Sequence, residues 1–342
     1  MRVTIKDVAK KAGVAPSTVS RVIADNQRIS LETKKRVRKA MKDLGYHPNV
    51  NARNLAIRST QAIGVVMPSS TDKALQNPFF PEILGGIGSV AHEMEYSLYV
   101  STGSTEEEQF EEVKRMVFGN RVDGIILLYS RANDVVMDFL FEKNFPFVVV
   151  GKPYSEENQI TYVDNDNVKA SREITQHLID LGHQYIAFIG GSTERVVTVD
   201  RLQGYESALE AADLPNREEY KVQTEFLESG GHKAVEKLFS LDQPPTGLVI
   251  ADDLVSLGVI NMLEELGFRV PGDISIASFN NVYLSEITRP PLTTVDIQIY
   301  LLGVHAFKCL IEKVKKKDEP SKRIIVPYKI KYRQSTKEID GK

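Results

Sequence analysis

The chain has one cysteine and no tryptophan among its 342 residues. A lone thiol excludes a disulfide framework and any zinc site built from several cysteines, and it fits a reducing compartment. Long apolar runs are missing too. Stretches such as Phe145 to Val150 fall far short of the roughly 20 residues that a membrane-crossing helix needs. Met1 to Ala12 is charged rather than signal-like, so a cytoplasmic protein is expected.

Catalytic signatures are equally scarce. There is no G-x-S-x-G, no P-loop and no H-E-x-x-H, and the six histidines are scattered, with His177 and His183 flanking a predicted helix end. Gly86-Ile-Gly88-Ser-Val-Ala91 matches a dinucleotide-binding pattern by letter. It falls within a helical segment from Pro81 to Tyr96, not at a strand-to-helix turn, so small residues for close helix packing are the better reading. Cys309 has no motif around it and reads as a packing residue. Neither catalysis, nor a metal, nor a cofactor is expected.

What is present is an uneven distribution of charge. The net charge of −3 divides into 14 Lys+Arg against 4 Asp+Glu in residues 1–60, about +10, and about −13 for the remainder. With 42% apolar and 26% charged residues the chain is globular, and its length predicts two or three domains.

Three short helices are predicted in the basic head. Thr4 caps the first, with Asp7 as its capping-box acid and Ile5, Val8 and Ala9 as an apolar stripe, and Gly13 breaks it. Pro16 opens the second, which turns Val19, Val22 and Ile23 inward and Ser17, Thr18 and Arg21 outward, with Ala15 where a capping Ser or Thr is usual. Ser30 caps the third, whose Val37, Ala40, Met41 and Leu44 recur at helical spacing up to Gly45, with Lys34, Lys35, Arg36, Arg38, Lys39 and Lys42 on its wetter faces. Two helices joined by a tight Gly-containing turn in so basic a segment form a helix-turn-helix that can enter a DNA major groove.

The run from Val3 to Ile23, VTIKDVAKKAGVAPSTVSRVI, closely resembles the headpiece of lactose-repressor (LacI) family transcription factors. The resemblance implies that Pro16, Ser17 and Arg21 meet base edges while Thr4, Thr18 and Ser20 meet or position phosphates. Arg21 is the best base reader among them, because its fork pairs bidentately with guanine. It also implies that Asn49 to Ile57 is a hinge helix folding on the operator. Asn49 would cap it, Ala52 would sit at the helix contact, Arg53 near phosphate, and Leu55 would wedge between base pairs in the minor groove.

From Ala62 onward strand and helix patterns alternate. Apolar runs at 63–67, 98–101, 124–128 and 147–150, then again at 185–189, 247–250 and 274–279, predict two similar doubly wound parallel sheets. By resemblance this α/β body is the two-lobed periplasmic-binding-protein-like core of the same family. The expected domains are a headpiece at 1–47, a hinge at 48–60 and a core at 61–342. Lobe 1 is assigned about 61–162 and 296–322, and lobe 2 about 163–295 and 323–340. A third crossing near Lys322 would place the last strand, Ile324 to Tyr328, in lobe 2.

Strand ends facing the cleft are where such sheets bind ligands. Arg201, Asp252 and Asn280 fall at family effector positions, although the family commonly has Asp where Asn280 stands. Gly151 and Lys152 border the cleft, and Phe79, Phe80 and Phe226 supply rings for a sugar face. Asn77 to Pro81, Tyr162 to Asn167, Phe188 to Ser192 and Thr198 to Arg201 resemble, more narrowly, the maltose-operon repressors of Gram-positive bacteria. The resemblance implies a homodimeric repressor that binds palindromic operator DNA and is released by maltose or a maltodextrin. A catabolite-control regulator with a phosphoprotein corepressor is the alternative within the family. A sugar-binding transport receptor is the alternative outside it, and it would have no use for residues 1–60.

Overall fold

The computed structural model describes residues 3–46, 59–68, 71–316 and 319–339. The chain divides into two compact units, Met1–Gln61 and Ala62–Lys342. The expected hinge positions Asn49, Ala52, Arg53 and Leu55 lie outside the described residues.

The first unit contains α1 (Ile5–Ala12), α2 (Pro16–Ile23) and α3 (Leu31–Leu44). The Asp7 carboxylate accepts from the Thr4 amide at 2.8 Å and from its hydroxyl at 2.7 Å, and this bonding holds the Asp7 pKa below its ordinary value. Gly13 and Gly45 end α1 and α3 in the left-handed conformation, at φ 63° and 61°. Val8, Ala9, Ala12, Val19, Val22, Val37 and Ala40 are buried together as a small core. Lys34 departs from the expected wet face. It is buried, and its ammonium donates to the Asp25 carbonyl at 3.1 Å and carboxylate at 3.0 Å. Arg38 joins the same carboxylate at 2.8 Å, so this basic residue pair ties α3 to the α2–α3 loop.

The second unit repeats one topology twice. Its first sheet comprises β1 (Ala62–Val66), β2 (Ser97–Val100), β3 (Gly124–Leu127), β4 (Phe147–Val150), β5 (Tyr162–Asp164) and β11 (Arg323–Ile325). The order is β11-β5-β4-β3-β1-β2, parallel throughout. The second comprises β6 (Ile186–Gly190), β7 (Lys221–Gln223), β8 (Gly247–Ile250), β9 (Ser275–Asn280), β10 (Thr293–Asp296) and β12 (Lys329–Lys331). Its order is β12-β10-β9-β8-β6-β7, with only β12 antiparallel. Central strands β1, β3, β4, β8 and β9 are buried along their whole length, as their unbroken apolar runs require when helices cover both faces.

The helices between these strands are α4 (Thr71–Gln76), α5 (Phe79–Glu93), α6 (Glu106–Phe118), α7 (Val135–Glu142), α8 (Asn167–Asp180), α9 (Val196–Ala211), α10 (Glu228–Phe239), α11 (Asp253–Glu265), α12 (Leu284–Ile287) and α13 (Ile299–Lys315). Cys309 is buried in α13. No described helix is long and apolar enough to cross a membrane.

The third crossing is not near Lys322, and the segment from Ile324 is not wholly in the second lobe. Residues 323–325 pair with β5 in the first sheet, Ile324 opposite Val163, and the chain crosses only afterward to place 329–331 beside β10. Val326 makes the last amide bond to this ladder, on the Asp164 carbonyl at 2.8 Å. Pro327 then has no amide to continue it. Likewise β5 carries lobe 1 through Asp164 and β10 carries lobe 2 through Asp296. The buried Asn165 amide fastens the three crossings to one another, donating to Ile297 O at 3.0 Å and Val326 O at 2.8 Å.

The glycines of the dinucleotide-like string have separate roles. A methyl group on Gly86 would run into the Tyr300 carbonyl of α13, and one on Gly303 into the Ile83 carbonyl of α5, whereas Gly88 has open space around it. Gly86 is therefore needed for the α5–α13 approach. Gly86→Ala is expected to cost about 1–3 kcal/mol by overpacking, while Gly88→Ala stabilises by up to about 1 kcal/mol through helix propensity. Urea unfolding of the two variants checks this, and equal midpoints would contradict it.

Candidate functional site

In the first unit Pro16, Ser17, Ser20 and Arg21 are exposed on or at the start of α2, Thr18 is half-buried, and Thr4 is exposed at the head of α1. Pro16 at the first helical position tolerates the missing amide there. The residues facing solvent from α2 are thus the ones expected to face DNA, while Val19 and Val22 hold the helix to the core.

In the second unit a cavity of about 110 Å³ lies between the sheets, at the carboxyl ends of their strands. Leu128, Tyr129 and Ser130 reach it after β3, Gly151 after β4, Asp164 from the end of β5, Ala251 and Asp252 after β8, and Asn280 from the end of β9. Phe79, Phe80, Phe226, Ile297 and Leu302 supply much of its apolar wall.

Its polar floor is a chain of hydrogen bonds. Arg201, buried on α9, donates from Nε to Asn167 Oδ1 at 2.9 Å and from Nη1 to Ala251 O at 2.6 Å, and lies over the Phe279 ring at 4.1 Å. Asn167 in turn donates to Asp164 Oδ1 at 2.9 Å. Burial pulls the Arg201 pKa down to about 10, against the opposing pull of Asp252 and Asp164, so the guanidinium remains charged at neutral pH. Burial pushes Asp164 up to about 7, although the Asn165 and Lys152 amides donate to it at 2.8 and 2.9 Å.

Asp252 joins the two lobes. Its Oδ1 caps α11 by accepting from the Leu254 amide at 2.8 Å, while Oδ2 accepts from Asn280 Nδ2 and from Asn77 Nδ2, each at 2.9 Å. Asn77 also donates to Phe226 O at 3.3 Å and accepts from the Phe79 amide at 3.0 Å. On another border of the cleft the Ala132 amide donates to Glu194 O at 2.9 Å and the Val196 amide to Ser130 O at 3.2 Å, so segments from both lobes pair as strands do. Neighbouring Asp253 has a different task. It is fully buried and accepts from Thr294 Oγ1 at 2.9 Å and the Val282 amide at 3.0 Å, within lobe 2.

The cavity therefore brings together Phe79, Phe80, Gly151, Arg201, Phe226, Asp252 and Asn280 among the residues singled out in the sequence. Lys152 is placed differently. Its side chain turns out of the cavity toward Glu157, 3.7 Å away, and only its amide reaches the site, through Asp164. Asn280, which stands where the resemblance leads one to expect Asp, has a local reason in this chain: its amide donates to Asp252 Oδ2 at 2.9 Å. An Asp in its place would set two carboxylates against each other.

Asn77, Asp164 and Asn167 were legible only as parts of longer strings, and Ser130 and Arg195 carried no sequence signal. Ser130 Oγ is buried at the cavity with no hydrogen-bond partner among the described residues. Such an atom suits a ligand that brings hydroxyls. The described residues contain no His, Cys, Asp or Glu cluster that could hold a metal ion.

A helix-turn-helix head and a two-lobed cavity between doubly wound sheets define a ligand-responsive bacterial regulator. Residues 4–49 match the bacterial regulatory proteins of the lacI family, and residues 175–336 match the periplasmic binding protein-like domain. The HTH-type transcriptional regulator MalR of Streptococcus pneumoniae is 44% identical over 304 residues, 86% of this chain and 92% of its own length. Among solved structures, a complex of the transcriptional regulator CelR with cellobiose is 31% identical, with a TM-score of 0.77, covering 98% of this chain and 100% of its own. A structure named as a probable maltose operon transcriptional repressor malR from Staphylococcus aureus is 29% identical, with a TM-score of 0.74 over 81% of this chain and 98% of its own. The chain belongs to the lacI family of DNA-binding transcriptional regulators.

Asn280→Asp places a second carboxylate on Asp252. The native state would then hold a proton well above the unfolded carboxylate pKa, so stability falls as pH rises. A loss of about 1–3 kcal/mol at pH 8 that shrinks at pH 5 is expected from urea unfolding. Equal losses at the two pH values would contradict the Asn280–Asp252 pairing.

Proposed function

We propose that this regulator is a homodimeric repressor of a maltose or maltodextrin operon, released from palindromic operator DNA when sugar binds its cleft. The observation that carries the reading is the cavity itself. Buried donors and acceptors on Arg201, Asp252, Asn280, Asn167 and Ser130 face phenylalanine rings, the combination that a polyhydroxylated ring with apolar faces requires. The relatives named for maltose and cellobiose support a neutral glucoside as ligand. Two recognition helices in a dimer match an operator with two-fold symmetry.

Sugar shifts the regulator between states only through different affinities for them. A ligand that bonds to groups from both lobes stabilises the arrangement in which Asn77 reaches Asp252. Bringing the lobes together around sugar would displace the first lobes of the dimer relative to each other, separate the residue 48–60 segments and weaken their hold on DNA. Leu55 would contribute an apolar wedge there.

Mobility shifts on a palindromic operator with added sugars test the reading. Wild type is expected to bind, and maltose or maltotriose to release it. Arg21→Ala should lose about 10–100-fold in specific affinity through the missing guanine contact, and Leu55→Ala should weaken operator binding while leaving sugar affinity intact. Arg201→Ala should bind operator normally but ignore sugar, its DNA binding serving as the control for folding. A wild-type complex indifferent to both sugars would overturn the proposal.

A further inference from the structure

The lobes meet on a second border besides Asn77 and Asp252, and there the bonds run between main-chain atoms. Residues 130–132, which follow β3, lie antiparallel to residues 194–196, which lead into α9, with Arg131 opposite Arg195. The Ala132 amide donates to Glu194 O at 2.9 Å and the Val196 amide to Ser130 O at 3.2 Å. Any residues with a free amide and carbonyl could make these bonds. What selects them is the placement of the two backbones, so the side chains that fix either segment control the pairing.

In lobe 1 that side chain belongs to Arg131. Its backbone faces Arg195, while its guanidinium turns back into lobe 1, with Nε donating to Asp134 Oδ2 at 2.9 Å and Nη1 paired with Glu106. Asp134 is itself buried and fixed, because its Oδ1 accepts from the Val136 and Met137 amides, at 2.9 and 2.8 Å, at the head of α7. Glu106 stands in the first turn of α6. One side chain thus fastens residues 130–132 to the heads of two helices. In lobe 2 the Glu194 amide donates to Ser192 Oγ at 3.2 Å and the Arg195 amide to Ser192 O at 3.1 Å, forming the turn that opens α9. The same helix carries Arg201 to the cavity floor, and Ser130 presents to the cavity a buried hydroxyl with no partner among the described residues. Candidate ligand contacts and main-chain pairing are therefore built on the same two segments.

We propose that this main-chain pairing is a latch that holds sugar in the cleft, and that Arg131 is its positioning residue. This rests on the sugar-sensing reading above and adds to it what sets the lifetime of the loaded state. Parting the lobes to release sugar breaks both bonds, whereas sugar entering between parted lobes meets neither, so the latch slows escape more than entry. Arg131 is not among the residues that line the cavity, and it acts through the segment it holds. Val196→Pro removes one of the two bonds selectively. Position 196 is the first of α9, where a missing amide costs the helix little and the φ of proline is already helical. Arg195 before it is extended, as a residue preceding proline prefers.

Stopped-flow displacement of maltotriose from the full-length wild type, Val196→Pro, Arg131→Ala and Arg131→Lys tests this. Val196→Pro and Arg131→Ala are each expected to release the sugar about three- to tenfold faster, the worth of one net hydrogen bond, with association within about twofold. Operator binding without sugar stays unchanged and shows that the fold survived, and Arg131→Lys recovers part of the loss. Because both substitutions act on one pairing, the double variant should lose less than the product of the single losses. Removing Arg131 also relieves its repulsion of the Arg195 cation, whose pKa is lowered by burial and by the Arg131 charge. Slower release from Arg131→Ala would therefore assign this border to charge and overturn the positioning role, as would losses that multiply independently. Unchanged release from both single variants would overturn the latch while leaving sugar sensing in place. Amide exchange at Ala132 reads the pairing without any sugar: protection that falls about three- to tenfold in Arg131→Ala is expected, and equal exchange in the two proteins would overturn it. If maltotriose fails to bind wild type, the sugar reading falls and the hold on sugar falls with it, while Ala132 exchange still decides whether Arg131 positions the pairing.

Discussion

The Asp252 carboxylate is where the two halves of the core meet. It follows a strand of the second lobe, caps the helix that comes next, and accepts from Asn280 beside it and from Asn77 in the other lobe. Burial raises its pKa, and donors from both lobes oppose that shift. A buried carboxylate that accepts from three donors is strongly specified in position. Because the Asn77 donor lies 175 residues away in sequence, the bond exists only when the lobes are correctly juxtaposed. The aromatic walls and the Arg201–Asn167–Asp164 chain depend on that juxtaposition.

The fold supplies a frame in which such a bond can act as a switch. Both lobes are built on the same strand order, and close helix approaches such as Gly86 against Tyr300 make each lobe a well-packed body. The lobes are joined by three crossings, which the Asn165 side chain ties together. A hinge held at one side by Asn165 and a cleft bridged elsewhere by Asn77 together set how far the lobes can part. Such an arrangement is compatible with hinge closure around a ligand, which is the switch proposed above.

Much of this was legible in the sequence, for identifiable reasons. The head is written in short-range signals, and Thr4, Asp7, Gly13, Ser30 and Gly45 occupy the helix ends that their chemistry favours. The main strands are continuous apolar runs because both faces are buried. The last crossing was misplaced because Ile324 to Tyr328 reads as one strand, whereas Pro327 divides it between two sheets. Site residues that follow strands, such as Asp252 and Asn280, could be found by position. Asn77 could not have been assigned its contacts from sequence, since these are created by lobe packing. Lys152 was misjudged by proximity: it adjoins the cleft in sequence, but its side chain turns to Glu157.

The charge pattern completes the picture. A head of about +10 and an acidic body of about −13 concentrate counterion release in the DNA-binding part, so that operator affinity depends steeply on salt while sugar recognition does not. In the proposed reading, what links the two is the coupling of sugar to lobe geometry through Asn77 and Asp252. Spin labels at exposed Glu142 in lobe 1 and Glu265 in lobe 2 measure it directly by pulsed dipolar spectroscopy, because the native Cys309 is buried. Saturating maltotriose should narrow the wild-type distance distribution to one population and leave that of Asn77→Ala broad. The same narrowing in both proteins would contradict the coupling.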